Sequence, residues 1–284
     1  MRVPERLVPL VDQGMIDEVV RPLMAGKEAQ IWLVIAGGWP CVAKVYKEAT
    51  ERSFHNRADY VEGRRTRNSR SQRAMAKKSR FGREQIEEQW KSAEVDVIYR
   101  LRAAGVTVPE PYAFVDGVLL MQLIADESGE PAPRMVDLDF SEEDARWLMD
   151  ALLREVIKML LAGVVHGDLS DFNILIDPWG PVIIDFPQAV DPATNNNAQR
   201  LFVRDVDNLV SFLSRFDPSL KGLQFGREIW DLYERGTLRP DSVLTGRWKR
   251  PKGRVDTSAV LREIEDIERE VMARRAALGL DPPR

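Results

Sequence analysis

Apolar positions along the 284-residue chain change period several times, and the changes divide it into elements. Short apolar runs bounded by Gly, Pro, Asn or Asp read as strands, and stripes recurring every three or four residues read as helices. The lead-in over 1–22 is interrupted by Pro4, Pro9 and Pro22 and leaves room for one short helix over 12–20. Segments 31–36 and 41–46 flank a Gly37-Gly38 turn and predict a hairpin. Over 84–104, Ile86, Trp90, Val97 and Leu101 form a helical stripe closed by Gly105. An extended link over 106–111 carries two prolines, and segments 112–115 and 118–124 predict a second hairpin around Asp116-Gly117. After a polar, proline-containing stretch, Ser141 and Asp144 are spaced for a cap on a helix over 142–161. At 1.5 Å per residue that helix is roughly 30 Å long, enough to span a small domain. Segments 174–176 and 182–184 then predict a third hairpin across Asp177-Pro178-Trp179-Gly180, followed by a helix over 199–216. A Pro/Arg/Lys-rich connector over 240–254 leads to a charged amphipathic helix from about 257 to 277. The expected class is α+β in two lobes: 1–124, a hinge and linker over 125–140, 141–239, and a basic connector with a final helix over 240–284.

The third hairpin carries the densest chemistry. Its first strand follows His166, Asp168 and Asn173, and its second runs directly into Asp185. A hairpin brings its outer ends together, so Asp168, Asn173 and Asp185 are expected to converge. Three oxygen-bearing side chains in one place suit Mg²⁺ held with phosphate oxygens, with one carboxylate left to orient a nucleophile. Aspartate to asparagine with four residues between, then a hairpin and an aspartate, is also the spacing of a kinase catalytic loop. The competing reading, an acidic hairpin exposed between two core strands, accounts for any one aspartate but not for spacing, turn and flanking strands together. His166 is expected to pack behind the loop and hydrogen-bond its backbone rather than act chemically.

Lys44 lies inside the strand Val42-Ala43-Lys44-Val45-Tyr46. A lysine pointing inward from an apolar strand is costly unless it meets an anion, and in a kinase-like site that anion is a nucleotide phosphate and a helix glutamate. The alternative turns Lys44 to water and Ala43 and Val45 to the core. Glu94, close to the buried stripe of the 84–104 helix, is the expected partner. Ahead of the first hairpin, Gly26-Lys27-Glu28-Ala29 forms a loop whose backbone amides suit phosphates, although with one glycine it is no Walker motif. A nucleotide base would lie against the end of the 118–124 strand, flanked by Met121 and bonded to backbone between Gln122, Leu123 and Ile124.

Composition narrows the classes. A formal charge of −4 gives no global pull toward nucleic acid or membrane, and no stretch reaches transmembrane length. One cysteine, Cys41, rules out an intrachain disulfide, and two histidines do not suggest a zinc site. With no apolar signal segment, the cytoplasm is the expected compartment. The local exception is 64–83, where nine lysines and arginines stand without an acid among Ser69, Ser71 and Ser79. Such a run repels itself; it reads either as a solvated loop or as an electrostatic contact to RNA, a ribosome-related surface or a protein. Its tethered serines are candidate acceptors for phosphate, with Arg67, Arg70, Arg73 and Arg80 beside them.

Gly26-Lys27-Glu28-Ala29, Val42-Ala43-Lys44-Val45-Tyr46-Lys47, Phe54 with Arg57, Tyr60 and Gly63, Trp90 with Glu94, HGDLSDFNILI at 166–176 and IDFPQ at 184–188 together resemble the RIO family of atypical serine/threonine protein kinases. The resemblance covers roughly residues 12–230. It implies a trimmed two-lobed kinase fold without the activation-segment subdomains, use of ATP with Mg²⁺ (or Mn²⁺), serine autophosphorylation or ATP hydrolysis, and in many members work on small-ribosomal-subunit maturation. By the same resemblance Lys44 contacts phosphates, Glu94 pairs with it, Asp168 is catalytic, and Asn173 and Asp185 bind metal, the latter being transiently phosphorylated in some members. Met24-Ala25 stand where the family usually has Ser-Thr, which removes two hydroxyls from the phosphate side. The layout, including Tyr60, is closest to the first branch. HGD and DFPQ lean to the second, whose winged-helix domain finds no room in the short lead-in, and a bacterial-type side branch is the expected subtype. Two other classes stay in view: a small-molecule phosphotransferase of the aminoglycoside or choline kinase type, which shares the HGD loop and its asparagine, and a non-catalytic nucleotide-gated protein, whose usual mark, loss of Lys44, Asp168 or Asp185, is missing.

Overall fold

The computed structural model describes residues 3–26, 29–47 and 94–249. Lys27, the basic segment 64–83, Trp90 with the first half of its helix, and the C-terminal helix lie outside the described residues. Residues 1–248 form one compact unit and 249–284 a second. Among the described residues no helix is long and apolar enough to cross a membrane.

The lead-in departs from its reading. The helix is α1, Val8–Asp12, with Pro9 in its first turn, where a missing N–H costs nothing. Gly14, at φ 69°, ends it, and the N–H groups of Met15 and Ile16 turn back to the Leu10 carbonyl. In place of a helix over 12–20 the chain enters strand β1, Glu18–Ala25. Pro22 is accepted there because β1 is an edge strand with a register shift beside it.

Strands β2 (Ala29–Ala36), β3 (Trp39–Tyr46), β4 (Pro111–Val115) and β5 (Val118–Gln122) complete an antiparallel sheet in the order β1-β2-β3-β5-β4. The β4–β5 turn has Asp116 at φ 49° and Gly117 at φ 74°, the left-handed pair that matches strand twist in a two-residue hairpin. Alternation along β3 explains both faces. Cys41, Ala43 and Val45 pack with Leu7, Leu10 and Ile16 around α1. Tyr46 and Leu119 face the opposite way and join a core containing Val95, Ile98 and Leu101. Those three belong to the described part of helix α2, residues 94–103. The sheet is therefore covered on both sides, which is why Ala43 and Val45 can be buried without sending Lys44 to water.

After α2, Gly105 adopts φ 73° and the Val106 N–H bonds the Leu101 carbonyl at 3.0 Å, a glycine-closed helix end. The link that follows is fastened to the second lobe. Helix α3, Glu142–Leu161, is capped by Ser141, whose Oγ accepts from the Asp144 N–H at 3.1 Å. Its buried Glu155 accepts from the Thr107 N–H at 2.8 Å, and its Lys158 donates to the Gly105 carbonyl at 3.0 Å. The polar stretch 125–140 is less of a spacer than expected. Met135 is fully buried, and the Pro133 carbonyl accepts from the Ile176 N–H at 2.9 Å, because apolar residues within it complete the second lobe's core.

The third hairpin forms as β6 (Ile174–Asp177) and β7 (Gly180–Ile183), with Ile174 opposite Ile183. Asp177 Oδ1 accepts from the Trp179 and Gly180 N–H groups at 2.8 and 2.9 Å and so closes the turn. The Ile183 N–H reaches the Thr107 carbonyl at 3.0 Å. Helix α4, Ala198–Leu213, packs behind, and α5, Phe225–Glu234, is a helix the periodic reading passes over. It lies so close that a Cβ added at Gly226 would come within 3.1 Å of the Val203 Cα.

Candidate active site

Lys44 is 6 % exposed and donates to two carboxylates, Glu94 Oε1 at 2.7 Å and Asp185 Oδ1 at 2.6 Å. Burial alone would pull the ammonium down, but the charges of Glu94 and Asp185 outweigh it and hold Lys44 well above its ordinary value. Burial likewise would raise Asp185, and Lys44 reverses the sign, holding it below the usual carboxylate range. Asp185 has φ 70°, uncommon outside glycine; this left-handed residue comes two positions after the end of β7, with Ile184 between. The sequence reading pairs Lys44 with Glu94 and assigns Asp185 to metal. The bond between Lys44 and Asp185 is an addition to it.

Asp168 stands at the solvent edge of the loop ahead of β6. Partial burial pushes its carboxyl up, Arg204 opposes this and Asp185 adds to it. The Asn173 Nδ2 donates to the Asp168 carbonyl at 2.9 Å, and the Ile184 N–H donates to the Asn173 carbonyl at 3.0 Å. With its amide nitrogen engaged, Asn173 has Oδ1 as its remaining ligand atom. Gln188 lies behind Asp168, with Nε2 at 3.4 Å from Oδ2. The hairpin thus brings Asp168, Asn173 and Asp185 to one end, beside Lys44 and Glu94. Hard oxygen donors from Asn173 and Asp185, with a cation-balancing excess of carboxylate around one lysine, fit a magnesium-type ion.

The loop is held from α4. Gly167, at φ 83°, lets the chain turn over the helix. Asp205 accepts from the Gly167 N–H at 2.7 Å and the Leu169 N–H at 3.2 Å, and Arg204 donates to the Gly167 carbonyl. Asn208 adds a bond to the Leu169 carbonyl at 3.0 Å. Arg204 and Asp205 thus brace the loop from behind while Asp207 is exposed, and Asn208 escapes the sequence reading; its signal is position, one turn after Arg204. Burial raises Asp205 to about 7 against the two amides.

His166 is 2 % exposed. Its Nδ1 accepts from the Asp168 N–H at 3.3 Å, so Nε2 carries the proton and donates to the Ile184 carbonyl at 3.1 Å. The neutral ring thereby joins the Asp168 loop to the residue before Asp185. Burial lowers its pKa to about 4, partly opposed by the Ile184 bond. The unfolded chain therefore takes up a proton that the fold refuses, and this contribution is intact above pH ~6.5 and lost toward pH ~4. We expect acid to destabilise the wild type relative to His166→Gln by about 3 kcal/mol across that window, read as the pH dependence of the difference in denaturant midpoints; parallel profiles would place the acid sensitivity elsewhere.

The nucleotide-side residues are arranged unevenly. The Gly26 N–H bonds the Ala29 carbonyl at 2.9 Å and its own carbonyl accepts from Lys47 at 2.6 Å. Gly26 thus closes its own turn through its amide; Lys27 lies outside the described residues. Met121 is half-buried beside the main core, and the Gln122 N–H is taken by the Glu110 carbonyl at 2.8 Å. The Ile124 carbonyl is taken by the Ala132 N–H at 2.9 Å, and the Ile124 N–H has no partner among the described residues. Ile124 packs with Ala132, Val182 and Leu175, so the end of the hinge abuts an apolar patch built partly from the β6–β7 hairpin.

Comparison with known proteins agrees with this architecture. Residues 29–223 match the family model described as RIO domain. The chain is 31% identical over 208 residues to the RIO-type serine/threonine-protein kinase Rio1 of Haloferax volcanii, covering 72% of this chain and 67% of that protein. It is 32% identical to a probable RIO1 homolog of Encephalitozoon cuniculi, of which it spans 48%, and 29% identical to the Rio2 of Methanocaldococcus jannaschii, of which it spans 71%. The Rio2 kinase–ADP/Mg²⁺–phosphoaspartate complex from Chaetomium thermophilum shares the fold, with a TM-score of 0.56 and 24% identity over 92% of this chain and 75% of that one. The fold is the protein-kinase-like α+β fold in its trimmed RIO form, and the chain belongs to the RIO family of kinases, carrying that family's kinase domain.

Proposed function

We propose that this chain transfers the γ-phosphoryl group of ATP, with Mg²⁺, to protein serine, itself included, or to water. The observation that supports this most directly is the shared lysine: Lys44 bonds Glu94 and Asp185 together, a charge arrangement poised for a phosphate to take one carboxylate's place. In this reading Asn173 and Asp185 hold the metal, which supplies neutralisation of charge on the phosphate oxygens. Lys44, fixed by Glu94, binds phosphate. Asp168 accepts a hydrogen bond from the acceptor hydroxyl or water and turns its lone pair toward phosphorus. The base lies on the Ile124 and Leu175 patch and takes the Ile124 N–H. The Chaetomium protein's phosphoaspartate supports an acyl phosphate on Asp185 as the route when water is the final acceptor.

By layout the chain sits nearest the first branch, as a bacterial-type member, and its basic segment 64–83 is the proposed contact for RNA, a ribosome-related surface or a protein acceptor. Intact-mass measurement after incubation with Mg²⁺-ATP, beside phosphate release and a panel of acceptors, tests the proposal. Mass gain on the chain, or phosphate release that EDTA abolishes, is the expected result. Phosphorylation of an amino alcohol or aminoglycoside in the panel, with neither of these, would overturn it in favour of a small-molecule phosphotransferase.

A further inference from the structure

Glu94 is 2 % exposed, and a carboxylate so buried needs a donor on each oxygen. Lys44 serves Oε1. The donor to Oε2 is the Tyr46 hydroxyl at 2.6 Å. Tyr46 lies two residues after Lys44 on β3, and the period of a strand puts both on the cleft face. The same ring passes beneath the ammonium, with Lys44 Nζ 5.3 Å from its centroid, near enough for cation–π attraction. Tyr46 is itself held on several sides: it is 2 % exposed, meets Phe114 edge-on at 6.2 Å, and its N–H bonds the Gly117 carbonyl of the β4–β5 turn at 3.2 Å. Burial holds the hydroxyl well above its ordinary pKa, so it stays protonated and remains a donor.

We propose that Tyr46 is a positioning residue whose hydroxyl fixes the Glu94 carboxylate, and through it aims Lys44 into the cleft once Asp185 is no longer its partner. The inference rests on the phosphoryl-transfer reading above. In the ligand-free site Lys44 is held from two sides, by Glu94 and Asp185. When a phosphate takes Asp185's place, only the Glu94 side still ties the lysine to the protein, and a Glu94 free to rotate about its side chain would let the ammonium follow. The Tyr46 bond removes that freedom. A tyrosine chosen only to fill the core would need any hydrogen-bond partner; this one bonds the more deeply buried of the two carboxylates that hold the lysine.

The test is a double-mutant cycle on ATP affinity, measured calorimetrically in EDTA and again with Mg²⁺, using wild type, Tyr46→Phe, Glu94→Gln and the double variant. Tyr46→Phe is expected to weaken ATP binding about tenfold, as loss of a bond to a charged group does, and to remain folded with a lowered thermal midpoint, since Glu94 Oε2 loses its donor. On the Glu94→Gln background the same change is expected to cost less than about twofold. An undiminished effect on that background, an unchanged affinity in Tyr46→Phe alone, or failure of Tyr46→Phe to fold would each assign the hydroxyl to packing and overturn the inference. Absence of ATP binding by the wild type would instead overturn the functional reading on which it stands.

Discussion

Asp168→Asn is expected to bind Mg²⁺-ATP about as well as wild type and to transfer phosphate roughly 10²- to 10⁴-fold more slowly, the usual loss when a positioned base is removed. The expectation follows from how the residue is held. The Asp168 backbone is fixed by His166 and Asn173, and the amides on either side are gripped by Asp205, so the substitution changes the acceptor and leaves the loop in place. None of the bonds that join Lys44, Glu94 and Asp185 involves Asp168, which separates affinity from rate. Single-turnover measurements at saturating ATP decide it. A rate within a factor of a few of wild type would remove Asp168 from the chemistry.

Asp185→Ala separates the terms the other way. With Mg²⁺ present the affinity for ATP should fall on the order of 10- to 100-fold, the scale on which loss of support at a metal site is felt. Without Mg²⁺ the variant should bind ATP as well as wild type or somewhat better, because Asp185 competes with phosphate for Lys44 at 2.6 Å. The signs therefore differ between the two conditions. Equal affinity of both proteins in Mg²⁺ would take Asp185 out of the metal site, and a loss of equal size in EDTA would mean that its bond to Lys44 shapes the empty cleft.

How much of this is legible in the sequence depends on range. The β6–β7 hairpin is readable because turn, strands and polar flanks lie within one short stretch, and so is α3, with its cap and wide apolar face. The partnership of Lys44 and Glu94 follows from cost: both sit in apolar surroundings and each needs the other. The bond from Lys44 to Asp185 spans 141 positions, and no local pattern encodes it. Local pattern also misled at 12–20, where the pairing of β1 with β2 overrides a helical spacing, and it passed over α5, whose apolar face acquires meaning only against α4. Gly26 looks like a phosphate loop by composition, yet its amide is used to close its own turn, a fact of geometry alone. Asn208 and Tyr46 are ordinary residues until the groups they bond are known.

The Thr107 clamp limits how this kinase domain can be controlled. Thr107 is bonded through its N–H to α3 and through its carbonyl to β7, four residues beyond the end of the helix that carries Glu94. Swinging that helix outward to break the Lys44 pair, with its end as the pivot, would tear both bonds and expose the buried Glu155 carboxylate. The stroke available to such a movement is therefore short. An on–off signal would reach the cleft more cheaply through the exchange of partners on Lys44 than through travel of a whole element, so the off state should be a matter of which anion the lysine holds, with the lobes scarcely displaced.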